Sequence, residues 1–298
     1  LQHSDIGGQQ VSSSDQRKDS AASLEGVLFL GAATVALGIA AYWPIFKAIA
    51  LEKLRGRIVT LGAVDDAYVH LGILKGCGFT QFTEDRTEFK EVLRRVGFDR
   101  ISFLDVSDFE GADIIQDLSA PLDPAYAGCA DLVLDNGTIE HCADPLKAIE
   151  NTLSLLKVGG VAIFMSPTNG YLDHGFWQIS PTLYFDLFYD LGYEILFLYV
   201  RASNWGRFDK LAFDYKGISM HSDQDRLGAT FPRALTYCAV RKTSNNATGI
   251  RPIQSFYSVR HTPRVFRDFT KIKYAASEIA DVPVVNNRDL VGPENFVE

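Results

Sequence analysis

The amino-acid sequence predicts an α/β protein: a mostly parallel sheet of seven strands with helices on both faces, preceded by an apolar helix. Three observations predict it. From Arg57 onward, short apolar runs alternate with segments of helical period. The helical segments carry their own punctuation of capping residue, proline and terminal glycine. The 298 residues are 47% hydrophobic and 22% charged, which suits one globular domain with appendages and excludes a disordered or fibrous chain.

The elements follow in order. "RIVTLGA" (Arg57–Ala63) reads as an apolar strand ending in glycine. "TEFKEVLRRVG" puts Phe89, Val92, Leu93 and Val96 on one helix face and stops at Gly97. "RISFLDVS" is a second strand ending in acid, "ADIIQDL" a short third and "ADLVLDN" a fourth. The next helix has Asp144 as cap, Pro145 in its first turn, Leu146, Ile149, Leu153 and Leu156 on one face, and Gly159-Gly160 as its expected end. "VAIFMSP" is the fifth strand. A helix capped by Ser180-Pro181 and stopped by Gly192 follows, and "YEILFLYV" and "LTYCAVRK" complete seven strands. The aromatic-rich stretch between those two, positions 201 to 233, is longer than ordinary connections and is a candidate lid as much as a plain excursion.

The flanks differ in character. Positions 1–20 are polar and read as a flexible tail, and the start at Leu1 suggests a fragment or a processed end. Positions 21–50 form an apolar helix. Within it, Gly26–Phe46 carries no charge and as a helix reaches roughly 30 Å, the thickness of a bilayer core. Tyr42 and Trp43 suit a membrane interface, and Lys47, Lys53, Arg55 and Arg57 would set the following domain on the cytoplasmic side. The alternatives are a packed helix, ended or kinked by Pro44 and leaving the protein cytoplasmic, or an unremoved signal segment. Positions 51–242 form the main domain, and 243–298 an extension that wraps the domain or binds a protein partner. A net charge of −8 argues against a nucleic-acid binder, because phosphate neutralisation needs clustered Lys and Arg. Cys77, Cys129, Cys142 and Cys238 form neither a CxxC pair nor a ligand cluster, which points to a reducing compartment and no structural zinc.

In an open α/β sheet, ligands bind beyond the carboxyl ends of the strands. Asp105 ends strand two, where an acid can accept from a ribose diol; Asp117 ends strand three, where it can accept from an exocyclic amine. Together they describe an adenosine. The series "FLDVS", "IIQDLSAPL", "ADLVLDNGTIEH" and "ADPLKAIENTLSLLKVGGVAIFMSP" resembles the class I S-adenosylmethionine-dependent methyltransferases, whose fold is Rossmann-like, over about Leu54 to Lys242. The resemblance implies S-adenosyl-L-methionine as cofactor. Asp105 would sit on the ribose, Asp117 and the Leu118 backbone on adenine, Gly62 against the methionine end, and Asn136 on the cofactor rim near the acceptor. The family's acid and glycine-rich turn after strand one are altered here: Thr60 stands for the acid, and Val64 and Asp66 for the later glycines. Asp65 or Asp66 is a candidate replacement for the acid. Gly62 and Asp105 lie about 43 positions apart, more than the roughly 30 residues of a βαβ unit, which predicts an extra excursion in "HLGILKGCGFTQFTED".

Methyl transfer needs alignment above all, and a base only for a hydroxyl or a protonated amine. His174, in "PTNGYLDHGFW", is the first candidate base and His141 the second; the alternative for each is a structural histidine. Tyr171, Phe176 and Trp177 are candidate walls of an acceptor pocket, or core aromatics. No metal is expected, because Glu140 and His141 lack a third ligand at helical spacing. No GxGxxG follows strand one and no GxSxG elbow occurs, which disfavours a dehydrogenase and a serine hydrolase. The expectation is a methyltransferase acting on an oxygen or nitrogen of a small-molecule, sugar or lipid-linked acceptor; the alternative is a catalytically degenerate binding or scaffold subunit of a membrane-associated assembly.

Overall fold

The computed structural model describes residues 38–62, 67–202, 212–215, 233–245, 252–254 and 271–284. The chain divides into two compact units, Leu1–Gly38 and Ile39–Glu298, and the architecture below is that of the second. The strands are β1 (Gly56–Leu61), β2 (Tyr68–His70), β3 (Arg86–Glu88), β4 (Phe98–Asp105), β5 (Ile114–Ile115), β6 (Ala130–Asn136), β7 (Leu156–Asn169), β8 (Glu194–Ala202), β9 (Ala212–Asp214) and β10 (Ala234–Arg241). The helices are α1 (Gly38–Glu52), α2 (Leu71–Gly76), α3 (Phe89–Val96), α4 (Pro145–Leu155), α5 (Pro181–Leu191) and α6 (Ala276–Ile279).

The main sheet runs in the order β5-β4-β1-β6-β7-β10-β8-β9. Parallel pairing joins β5, β4, β1, β6 and β7, whereas β10 runs antiparallel to both of its neighbours and β9 antiparallel to β8. All seven expected strands are present, with β9 as a short eighth edge strand from within the long aromatic-rich stretch. The rest of that stretch, 203–211 and 216–232, lies outside the described residues. Chain order moves outward from β1 in one direction and from β6 in the other, so right-handed crossovers place α3 and α4 on opposite faces. Sheltered on both faces, the central strands read as continuous apolar runs: Ile58, Val59, Leu61, Leu132, Val133 and Leu134 are all buried. The excursion after β1 is real: β2 and β3 pair as an antiparallel ribbon with α2 between them.

Local punctuation behaves as expected at four helix ends, one of them the start of α4, where Asp144 accepts from Lys147 N–H at 2.9 Å. Gly97 and Gly192 close α3 and α5 in the left-handed conformation, and Ser180 accepts from Thr182 N–H at 3.2 Å. The end of α4 is different. Gly159 and Gly160 lie inside β7, and the helix already stops at Leu155. Its end is satisfied from a distance, because the buried Lys242 ammonium donates to the Leu153 and Leu156 carbonyls at 2.9 Å each.

The described part of the apolar helix follows the packed alternative. Helix α1 continues past Pro44 and packs on the domain, burying Tyr42, Ile45, Phe46, Ala48 and Ile49. The Tyr42 ring lies 5.3 Å from Phe89, and Phe46 6.2 Å from both Phe79 and Phe89. Tyr42 therefore meets core aromatics rather than a membrane interface. Positions 26–37 of the apolar run lie outside the described residues, and among the described ones no helix is long and apolar enough to cross a membrane. Part of the C-terminal extension wraps the same domain: Lys273 and Tyr274 N–H bond to the Ile195 and Leu196 carbonyls, and α6 buries Ala276 and Ile279.

Candidate active site

Parallel register builds the site. Leu61 pairs with Leu104 on one side and Asp135 on the other, so the next residues, Gly62, Asp105 and Asn136, share one row at the carboxyl edge. Asp105 pairs in turn with Ile115, two residues before Asp117. The five expected cofactor residues thus come from three neighbouring strand ends and the turn after β5. At Gly62 the backbone has φ +76°, and an added Cβ would lie 3.0 Å from the Thr138 hydroxyl. Gly62 N–H bonds to Leu104 O at 2.8 Å, and Thr138 Oγ1 donates to Leu61 O at 2.9 Å, which ties the end of β1 to the loop after β6. Residues 63–66, including the candidate acids Asp65 and Asp66, lie outside the described residues.

Asp105 accepts from Ser107 N–H through Oδ1 at 3.3 Å, and its Oδ2 has no hydrogen bond among the described residues. Asp117 is exposed and accepts from Ser119 N–H at 2.7 Å, while Leu118 beside it is buried. The turn carrying both is held from α4 by a residue the sequence did not single out. Buried Asn151 donates to the Leu118 and Ala120 carbonyls at 2.8 and 2.7 Å.

The loop after β6 contains a short 3₁₀ turn, Ile139–His141. Asp135 orders it from below, accepting from Thr138 and Ile139 N–H at 2.9 and 3.3 Å. Full burial, and then the nearby Glu140 carboxylate, push the Asp135 carboxyl well above the usual range. Glu140 is part of the loop architecture. Its carbonyl accepts from Phe176 and Trp177 N–H at 2.8 and 3.2 Å, so the loop after β7 is clamped onto the turn. Gly175 permits the approach, since a Cβ there would lie 2.9 Å from Glu140 O. Trp177 Nε1 adds a bond to Cys142 O at 2.9 Å, and Ile179 N–H to Pro167 O closes the loop at its base.

This clamp brings distant residues together. His174 Nε2 lies 3.6 Å from Glu140 Oε1, and its ring is 5.1 Å from His141 and 5.5 Å from Tyr171. Glu140 is buried while His174 is 40% exposed, so the pair has a sealed side and an open side. Tyr171 is buried, with the Arg233 guanidinium 4.6 Å from its ring centre. Phe176 is 76% exposed, and its backbone N–H makes the contact to Glu140 O. Trp177 is 44% exposed and serves the clamp. The third ligand absent from the local sequence also appears: ligating atoms of Glu140, His141 and His174 all lie within 4.8 Å of one another.

The field is negative. Burial, and then the nearby acids Asp135, Asp117, Glu140 and Asp105, push the Cys142 thiol up to about 12. Cys142 is no nucleophile at neutral pH. A cation gains from such a site.

No family model matches the chain, and neither does any curated protein. Solved structures similar in arrangement include the trans-methyltransferase CalH in complex with S-adenosylhomocysteine, at 14% identity and TM-score 0.37, over 66% of this chain and 54% of that one. This chain thus spans about half the length of that protein. Another is the 1,6-didemethyltoxoflavin N1-methyltransferase of Burkholderia thailandensis, at 11% identity and TM-score 0.42, over 80% and 94%. A third is the N-methyltransferase NodS of Bradyrhizobium japonicum, at 12% identity and TM-score 0.39, over 67% and 84%.

Proposed function

We propose that the protein is an S-adenosylmethionine-dependent methyltransferase acting on an oxygen or nitrogen of a small acceptor. The observation that carries this is the shared edge row of Gly62, Asp105 and Asn136 beside the Asp117-Leu118 turn, faced by the His174 loop. The residues fit the cofactor. Asp105 Oδ2 is available to a ribose hydroxyl, and Asn136 Oδ1 is buried without a hydrogen-bond partner among the described residues. In this reading Asp117 and the Leu118 backbone would hold adenine, and Gly62, without a side chain, would let the methionine end approach. When bound, the cofactor supplies a methyl group already activated on a sulfonium, whose positive charge suits the acidic surroundings.

The chain then has two tasks. It aligns the acceptor between Tyr171 and the edge row, where proximity supplies much of the acceleration. It also receives the acceptor's proton, for which His174 is the first candidate base, open on one side and beside the Glu140 carboxylate on the other. His141 is the second group in reach.

Calorimetry of the full chain with S-adenosylmethionine and S-adenosylhomocysteine tests the reading. Binding that weakens at least tenfold in Asp105→Ala is expected. Absence of binding at millimolar ligand would remove the enzyme reading in favour of a non-catalytic subunit. The full chain is needed, because α1 contributes Tyr42, Phe46 and Ile49 to the core.

A further inference from the structure

We infer that Glu140, His141 and His174 form a binding site for a divalent transition-metal ion. Two imidazoles and one carboxylate are a donor set suited to zinc, iron(II) or manganese, and three protein ligands leave positions open for an exogenous one. The ligating atoms already lie within 4.8 Å of one another, and the Glu140–His174 pair is at 3.6 Å. Bonds of about 2.0–2.1 Å in a tetrahedral shell put neighbouring ligand atoms about 3.3 Å apart. Glu140 and His174 thus nearly span one edge. His141 is exposed and His174 partly so.

A second observation points the same way. Glu140 is 1% exposed, and its Oε2 is buried with no hydrogen bond among the described residues. No lysine or arginine pairs with it there, and at 3.6 Å the His174 contact is too long for a good hydrogen bond. A buried carboxylate without compensation is costly, and a bound cation is one compensation the neighbouring imidazoles are built to share.

The role, though not the binding, rests on the methyltransferase reading. An ion held on the sealed side by Glu140 would present its open position toward Tyr171, hold the acceptor's hydroxyl or amine there and lower its pKa. The proton then passes to solvent, and His174 acts as a ligand instead of a base.

The test is titration of the untagged full chain with Co²⁺, read by visible absorption, and with Mn²⁺, read by loss of its free electron-spin signal. One equivalent bound with micromolar affinity is expected. Binding should weaken at least tenfold in Glu140→Gln and in His141→Ala, and stay unchanged in His70→Ala, an exposed histidine of the β2–β3 ribbon. Lack of stoichiometric binding, or equal binding in both site variants, would overturn the proposal. Should Glu140→Gln fail to fold by circular dichroism, His141→Ala, at an exposed position, decides alone. Calorimetry with S-adenosylhomocysteine on the same sample separates the two readings. Nucleoside binding without metal binding removes the metal site and leaves the methyltransferase; metal binding without nucleoside does the reverse.

Discussion

Asn151 offers a quantitative handle on how α4 supports the adenosine side of the site. Its amide is 2% exposed and donates twice, to Leu118 O at 2.8 Å and to Ala120 O at 2.7 Å. Each such bond contributes about 1 kcal/mol net, and a buried carbonyl left without a donor costs about 1–3 kcal/mol. Asn151→Ala should therefore destabilise the protein by about 2–4 kcal/mol. Asn151→Asp is the sharper variant, because an ionised carboxylate only accepts and would face two carbonyl oxygens. It should be at least as destabilising at neutral pH, and part of the loss should return in acid as the new carboxyl becomes a donor. The assay is urea unfolding followed by circular dichroism, with an unchanged denaturant slope for a local effect. S-adenosylhomocysteine affinity should fall several-fold alongside, since the Asp117-Leu118 turn loses its brace. A loss below about 0.5 kcal/mol in Asn151→Ala, or Asn151→Asp as stable as the parent, would refute the view that these two bonds hold the turn.

Three further outcomes are expected. Lys242→Met keeps the apolar stem but removes two charge-assisted bonds to the end of α4; partly offset by the relief of burying an ammonium, the loss should be about 2 kcal/mol in the same urea assay. Thr138→Val removes the Oγ1 bond to Leu61 O, and thermal unfolding should show a loss of about 1 kcal/mol with weaker nucleoside binding by calorimetry. For Glu52, burial would raise the pKa, yet hydrogen bonds from Tyr274 and Lys273 and the charges of Lys273 and Arg241 hold it below the usual value. Its folded value then lies below its unfolded one, so its contribution is present above the unfolded pKa and disappears as pH falls through the folded one. Glu52→Gln should flatten that acid limb in a stability-against-pH series.

Much of the frame was legible because it is written in local chemistry. Apolar runs such as "RIVTL" and "ADLVLDN" mark strands sheltered on both faces, and Gly97, Asp144-Pro145, Ser180-Pro181 and Gly192 mark helix ends through backbone conformation and side-chain caps, which depend on few neighbours. The acids at strand ends were legible for the same reason, since strand direction and ending set the edge row. Gly159-Gly160 misled because the same dipeptide serves a helix stop or an irregular strand, and the choice was made by Lys242, far along the chain. The apolar segment was left between two readings because hydrophobicity does not say whether a helix meets lipid or protein; Phe79 and Phe89 supply the protein for its described part.

By itself the sequence determined the order of strands and helices, the negative charge and the acids at the strand ends, all of which follow from neighbouring residues. Only the tertiary structure decided what stands beside Glu140. A hydrogen-bonded clamp from Phe176, Trp177 and Ile179 folds the loop after β7 back over the turn after β6 and sets His174 against a buried carboxylate. Such contacts depend on how two loops close in space, and no periodicity or local motif encodes that.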